Sequence, residues 1–400
     1  MSFFYDNLSF FIFVAFLIVF LLIKRKQVEV QGSFPLFYFV LYKTKLGLDK
    51  MDKWSKKHPD TFLYLAYISI FIGIVGMFVS MVFMGWQLDF IVQKNLHQGG
   101  GFVLPLKTSG GMDGAVPVFY IPFLYWIVSL FILVVVHEFA HGVIAERFKI
   151  KIKSSGFAFL GVLVPLMPAA FVEPNQKQLN KKPWWQKVAV FGAGSTSNFI
   201  FGLLFLLLWI YVAVPFENNT MEVKSLSFSS VMNQSTFHEL NVTSGTIVQI
   251  ENVTNINSMI NVLYSLQFNH TVHVTVRSHQ GSIQNYSLSP FVNNATGKPM
   301  IGIILNSTAM APATKAQYSY LGSLPVHFEK IIFYIWFLNL GIGIANLLPL
   351  WITDGGQIAR TVLTRFLPKK VANILYLVLC FTSLFMIILI LWPALLLAIF

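Results

Sequence analysis

Six stretches of this chain are apolar for long enough to approach or exceed the roughly 20 residues that a bilayer crossing takes. They run 8–23, 61–86, 117–145, 188–214, 324–351 and 371–400, the first slightly short. Only 11% of the 400 residues are charged, less than half the roughly 25% of a soluble domain, and too few to cover a water-soluble surface. Disorder is excluded by the opposite argument, since disordered chains are poor in apolar residues and 56% of these are hydrophobic. The chain therefore reads as an α-helical polytopic membrane protein whose solvent is the lipid bilayer. The first span lacks a basic n-region and a small-residue cleavage site, so it reads as a retained helix. The formal net charge of +12 would suggest nucleic acid in a soluble protein. Here it points to cytoplasmic loops, and no nucleic-acid partner is expected. The single cysteine, Cys380, rules out an internal disulfide and a cysteine metal site.

Two further apolar stretches, 34–42 and 156–172, are too short to cross. The second, GFAFLGVLVPLMPAAFV, contains Pro165 and Pro168. It reads as a re-entrant or interfacial hairpin that must be buried against helices to satisfy its backbone. Orientation follows from Lys and Arg. With the N-terminus outside, loops 24–60, 146–187 and 352–370 face inward and hold 21 of the 28 basic residues, a bias that fits the positive-inside rule. Six crossings then put the C-terminus outside as well.

Segment 215–323 differs in composition, being rich in Asn, Ser, Thr and Val with no long apolar run. Alternation at 246–250, 271–277 and 300–305 predicts strands, and 257–266 a short helix. This segment reads as an inserted α+β domain on the outer face. It carries eight N-x-[ST] sequons, at Asn218, Asn233, Asn241, Asn252, Asn269, Asn285, Asn294 and Asn306, and Asn7 makes a ninth. All nine fall outside in this topology, although an Asn-rich segment also makes sequons by chance. The resulting division is 1–116 (N-terminal spans and a basic loop), 117–214 (two spans around the hairpin), 215–323 (the outer domain), 324–370 (a further span and its turn) and 371–400 (a last span).

The third span has no ionisable group for about twenty residues. Then His137, Glu138 and His141 appear as H-E-x-x-H. Helical spacing puts both imidazoles on one face, able to share one ion. Glu138 is adjacent and can take a proton from a metal-bound water. Ionisable groups in a span are costly and usually functional; the plain alternative is a structural His pair near the helix end. A catalytic zinc takes three protein ligands and one open position. The fifth span supplies a candidate third, Asp354, after an uncharged run from Ile331 to Thr353. Both spans run from outside to inside, so all three side chains approach the inner face at similar depth. Asp354 could instead be an ordinary helix-end residue.

HEFAH at 137–141 with NLLPLWITDG at 346–355 resembles the site-2 protease family of intramembrane zinc metalloproteases. Between them AGSTSN holds a G-x-x-x-N element, Gly194 and Asn198, with Ser195 where many members have proline. FVEP at 171–174 looks like archaeal members. The resemblance implies a protease core in 117–214 and 324–370. In it His137, His141 and Asp354 hold one zinc ion and Glu138 is the catalytic base. Asn198 would position the scissile peptide, with Gly194 in the same element. Asn346 and Pro349 would shape the turn that presents Asp354, and Gly355 and Gly356 would permit a tight bend. It also implies that the substrates are transmembrane segments of membrane-anchored regulators, cut after a first protease has trimmed them. The rhythm of 221–308 resembles a PDZ domain without a clear carboxylate-binding loop, so a peptide binder and a size filter both stand. His270, His273 and His279 there read as solvent-facing rather than as a metal site. The expected location is a prokaryotic, archaeal-like cell membrane, with a eukaryotic inner membrane as the alternative. Three rivals are a glutamate-ligated membrane metalloprotease, a zinc-binding adaptor or transporter, and an inactive family member. The first lacks an intramembrane glutamate after Glu173, and the second usually shows several charged spans.

Overall fold

A backbone in lipid must satisfy its own hydrogen bonds, so long apolar runs have helix as their outlet. The computed structural model describes residues 7–33, 37–93, 103–104, 119–162, 164–222, 226–268, 270–278, 281–292, 297–305 and 313–399. The expected sequons Asn269, Asn294 and Asn306, and His279, lie outside the described residues. Two compact units form, one from residues 1–209 with 330–400, the other from 210–329.

The first unit is mostly helical. Its longer helices are α1 (Leu8–Ile23), α2 (Leu48–Lys57), α3 (Pro59–Gln93), α4 (Phe123–Arg147), α5 (Trp184–Leu208), α6 (Leu324–Asn346, which begins in the second unit), α7 (Asp354–Phe366) and α8 (Lys369–Ile399), with one short helix at Gln176–Asn180. Among the described residues five helices are long and apolar enough to cross a membrane: those of α3, α4, α5 (continuing to Thr220), α6 and α8. The expected first span is α1, and its 16 residues rise only about 24 Å against a core of roughly 30 Å. It is seated by aromatic packing, with the Phe10 ring edge-on to Phe123 at 5.6 Å.

The two short apolar stretches are strands. β1 (Val28–Ser33), β2 (Phe37–Thr44), β3 (Ile152–Val162) and β4 (Val164–Pro174) form one antiparallel sheet in that order. The prolines that argue against a helix are tolerated because β4 is an edge strand. Pro168 shares the parity of Val172, whose N–H points away from β3, so no ladder bond is lost there. Cross-strand ion pairs tie the ends of the sheet, Lys43 to Glu29 and Lys153 to Glu173 at 3.5 Å. The Ser154 hydroxyl, donating to Glu173, and then Lys153 hold that carboxyl below its ordinary range.

The second unit is built around a five-stranded antiparallel sheet. The strands of that sheet are β5 (Leu226–Val231), β6 (Gly245–Ile250), β7 (Val272–Arg277), β8 (Ile283–Leu288) and β9 (Ile303–Leu305), in the order β8–β7–β6–β5–β9. Period-two alternation is explicit in β7, where Val272, Val274 and Val276 are buried and His273 is exposed. The expected helix is Ile256–Tyr264, capped by the Asn255 side chain, which accepts from Ser258 N–H at 3.2 Å. The expected strand at 300–305 is divided, because Gly302 turns the chain at φ +72°. Phe228 and Phe237 stack 5.2 Å apart in the core.

Candidate metal centre

The span α4 ends its apolar run on His137, Glu138 and His141, and two neighbouring helices receive them. From α5, the Val190 carbonyl lies 2.6 Å from His141 Nδ1. A carbonyl only accepts, so Nδ1 carries the proton and Nε2 of the neutral ring is left with a lone pair. One turn below, the Asn198 side-chain amide lies 3.1 Å from His137 Nδ1, and Asn198 is fully buried. The amide nitrogen faces the ring as placed, which leaves Oδ1 buried without a partner. Exchanging the amide oxygen and nitrogen lets Oδ1 accept from Nδ1–H of His137, and Nε2 of His137 then also presents a lone pair. Ser197 reinforces the helix contact, donating to the Gly194 carbonyl at 2.7 Å and approaching the Val136 carbonyl at 3.3 Å.

Asp354 completes the constellation. Its Oδ2 lies 3.2 Å from His137 Nε2 and 3.4 Å from His141 Nε2, which are themselves 3.1 Å apart. Oδ2 is buried with no hydrogen-bond donor of its own. Two bare nitrogens and a carboxylate oxygen repel unless a cation sits among them. Among the described residues this is the one group of His, Cys, Asp and Glu side chains gathered closely enough to hold a metal ion.

The route that brings Asp354 there is short. The helix α6 stops at Asn346, and Pro349 follows in a turn closed by Leu350 N–H donating to Leu348 O at 2.8 Å. Thr353 then starts α7 as its N-cap, accepting from Gly356 N–H at 3.3 Å. Asp354 is thus the first residue of a new helix rather than the end of the span. Gly355 and Gly356 lie inside the first turn of α7 and neither has a positive φ, so they do not form the expected bend. Their role is steric, since a Cβ at Gly355 would meet Leu347 O and one at Gly356 would meet Leu350 O. Gly194 is needed for the same reason. A Cβ there would run into His141 Nε2 and His137 Nε2, the candidate ligand atoms.

Glu138 points to a different partner. Its Oε2 accepts from the backbone N–H of Val172 on β4 at 2.8 Å. The base candidate is therefore tethered to the open edge of the four-stranded sheet. His137, Glu138, His141, Asp354 and Asn346 line one cavity of about 690 Å3 together with Ala170 and Val172 of β4. Asn198 does not line it and stands behind His137. Val190 O and Val172 N–H carry no signal in the sequence, because any residue supplies a backbone group. Thr353 was findable, as a Thr directly before an amphipathic run.

The sequence model of Peptidase family M50 matches residues 125–386. An uncharacterized protein of Methanocaldococcus jannaschii is 29% identical over 211 residues, covering 51% of this chain and 52% of that protein. The chain thus spans about half the length of the curated relative it matches.

Proposed function

This chain belongs to peptidase family M50, the site-2 protease family of membrane metallopeptidases, and from that premise we propose that it is a zinc endopeptidase cutting transmembrane segments of membrane-anchored proteins. The observation that carries the reading is the triangle of His137 Nε2, His141 Nε2 and Asp354 Oδ2, with edges of 3.1, 3.2 and 3.4 Å. Tetrahedral zinc with bonds of about 2.0–2.1 Å sets its ligand atoms roughly 3.3 Å apart. The donor set of two imidazoles and one carboxylate also suits zinc and leaves a fourth position for the cavity. When bound, the ion supplies a Lewis acid and makes water acidic enough to react near neutral pH.

The rest is the work of the chain. Glu138 takes a proton from the attacking water and returns it to the leaving amine. The Val172 N–H orients that carboxylate. Val190 and Asn198 fix the ring orientation of the two imidazoles, a task that makes Asn198 a positioning residue. A peptide bond in a helix is shielded by its own hydrogen bonds, so the substrate must unwind locally. The open edge of β4 offers it a strand partner by β-addition. Glu138→Gln should abolish cleavage of a helical membrane substrate by purified protein while one zinc stays bound. Residual cutting by that variant would sink the mechanism.

The second unit, PDZ-like in its strand and helix order, would act outside the membrane as a size filter or a peptide binder. Deleting 221–308 should let untrimmed substrates be cut, and unchanged selectivity would remove the filter. The N-terminus is proposed outside and the metal centre toward the cytoplasmic face of a prokaryotic, archaeal-like membrane. The sole native cysteine, Cys380, is buried. An impermeant thiol reagent should therefore label Gly281→Cys in intact cells; labelling only after lysis reverses the orientation.

A further inference from the structure

A second polar cavity, of about 550 Å3, adjoins the catalytic one. Gln176, Phe191 and Gln357 line both. Its other walls carry Lys187 of α5 and Arg360 and Arg365 of α7, and none of its lining residues is Asp or Glu. Among the described residues no carboxylate pairs with these three cations. Arg360 has its guanidinium 5.8 Å from the centre of the Tyr376 ring, a contact that keeps its charge. Like charges on one concave wall repel each other and focus a positive field, so the complement is an anion. Guanidinium forks favour planar or tetrahedral oxyanions, phosphate above all.

Position selects the source. The cavity is lined by Trp184 and Lys187 in the opening turns of α5, whose helix is a candidate span. Arg365 precedes the start of α8, another candidate span, by only a few residues. The cavity therefore lies where two spans emerge, at headgroup depth, with a Trp of the kind enriched at that level. Basic pockets between spans at this depth hold phosphorylated headgroups. We propose that this cavity binds the phosphate of an anionic lipid headgroup, beside the mouth of the catalytic cavity. The proposal rests on the membrane setting and not on zinc or proteolysis.

The test uses the full-length protein in neutral detergent and short-chain phosphatidylglycerol as the probe. Saturable binding is expected, with short-chain phosphatidylcholine at least about tenfold weaker. The double variant Lys187→Gln, Arg365→Gln should weaken phosphatidylglycerol by a further factor of about ten or more, since each removes a charged hydrogen-bond donor. The charge-keeping pair Lys187→Arg, Arg365→Lys should retain binding, which separates lost charge from lost fold. Unchanged affinity in the double variant overturns the proposal. Inorganic phosphate binding as tightly as the lipid would overturn the lipid source, and an Asp-rich peptide binding in place of the lipid would assign the cavity to polypeptide.

Discussion

Histidine lives differently in the two units. In the apolar unit both ring nitrogens of His137 and His141 face a polar group, Asn198 or Val190 on one side and Asp354 on the other. In the polar unit His270 and His273 are exposed, and the His273 ring contacts the Ser287 hydroxyl at 3.0 Å. The difference follows from solvation. An ionisable group among apolar helices persists only with partners, so the few that occur converge. A strand face in water exerts no such pressure, and its histidines scatter.

The sharpest break of that contrast is metal analysis. Asp354→Ala should take the purified protein from about one bound zinc per chain to almost none. His270→Ala with His273→Ala should leave it unchanged, and zinc lost from that pair would erase the distinction. Phe237→Ala tests the reverse direction. It should destabilise the polar unit by about 3–5 kcal/mol, read as faster amide exchange across β5 to β8, with zinc retained. Asn198→Ala should weaken zinc by about 10–100-fold, the usual scale for a partner that orients a ligand; measured by chelator competition, an unchanged affinity would deny it that role. The smallest effect belongs to Thr353→Ala, about 1 kcal/mol for a lost N-cap, visible as a lower melting temperature with zinc still bound.

The two units were also unequally legible. In the apolar unit the spans and the H-E-x-x-H pair stand out because charge is so rare between them. The hairpin at 156–172 was visible as too short to cross and as a source of an edge strand, and that edge position is what makes its prolines harmless. Gly355 and Gly356 looked like a bend and proved to be places where two carbonyls press on a helix. In the polar unit alternation marked β6 and β7 closely, and it missed the interruption at Gly302.

Sequence alone determined that apolar runs become helices, that scarce ionisable residues need one another, and that His137, Glu138 and His141 share a helix end. Those conclusions rest on solvation and on the helical repeat, which are local. Tertiary structure decided which atoms meet. It set Asn198 behind His137, placed Val190 O on His141 and tied Glu138 to Val172. It also gathered Lys187, Arg360 and Arg365 around a single cavity. Those pairings join helices and strands distant in the chain, partly through backbone groups that every residue carries, so no pattern of side chains announces them.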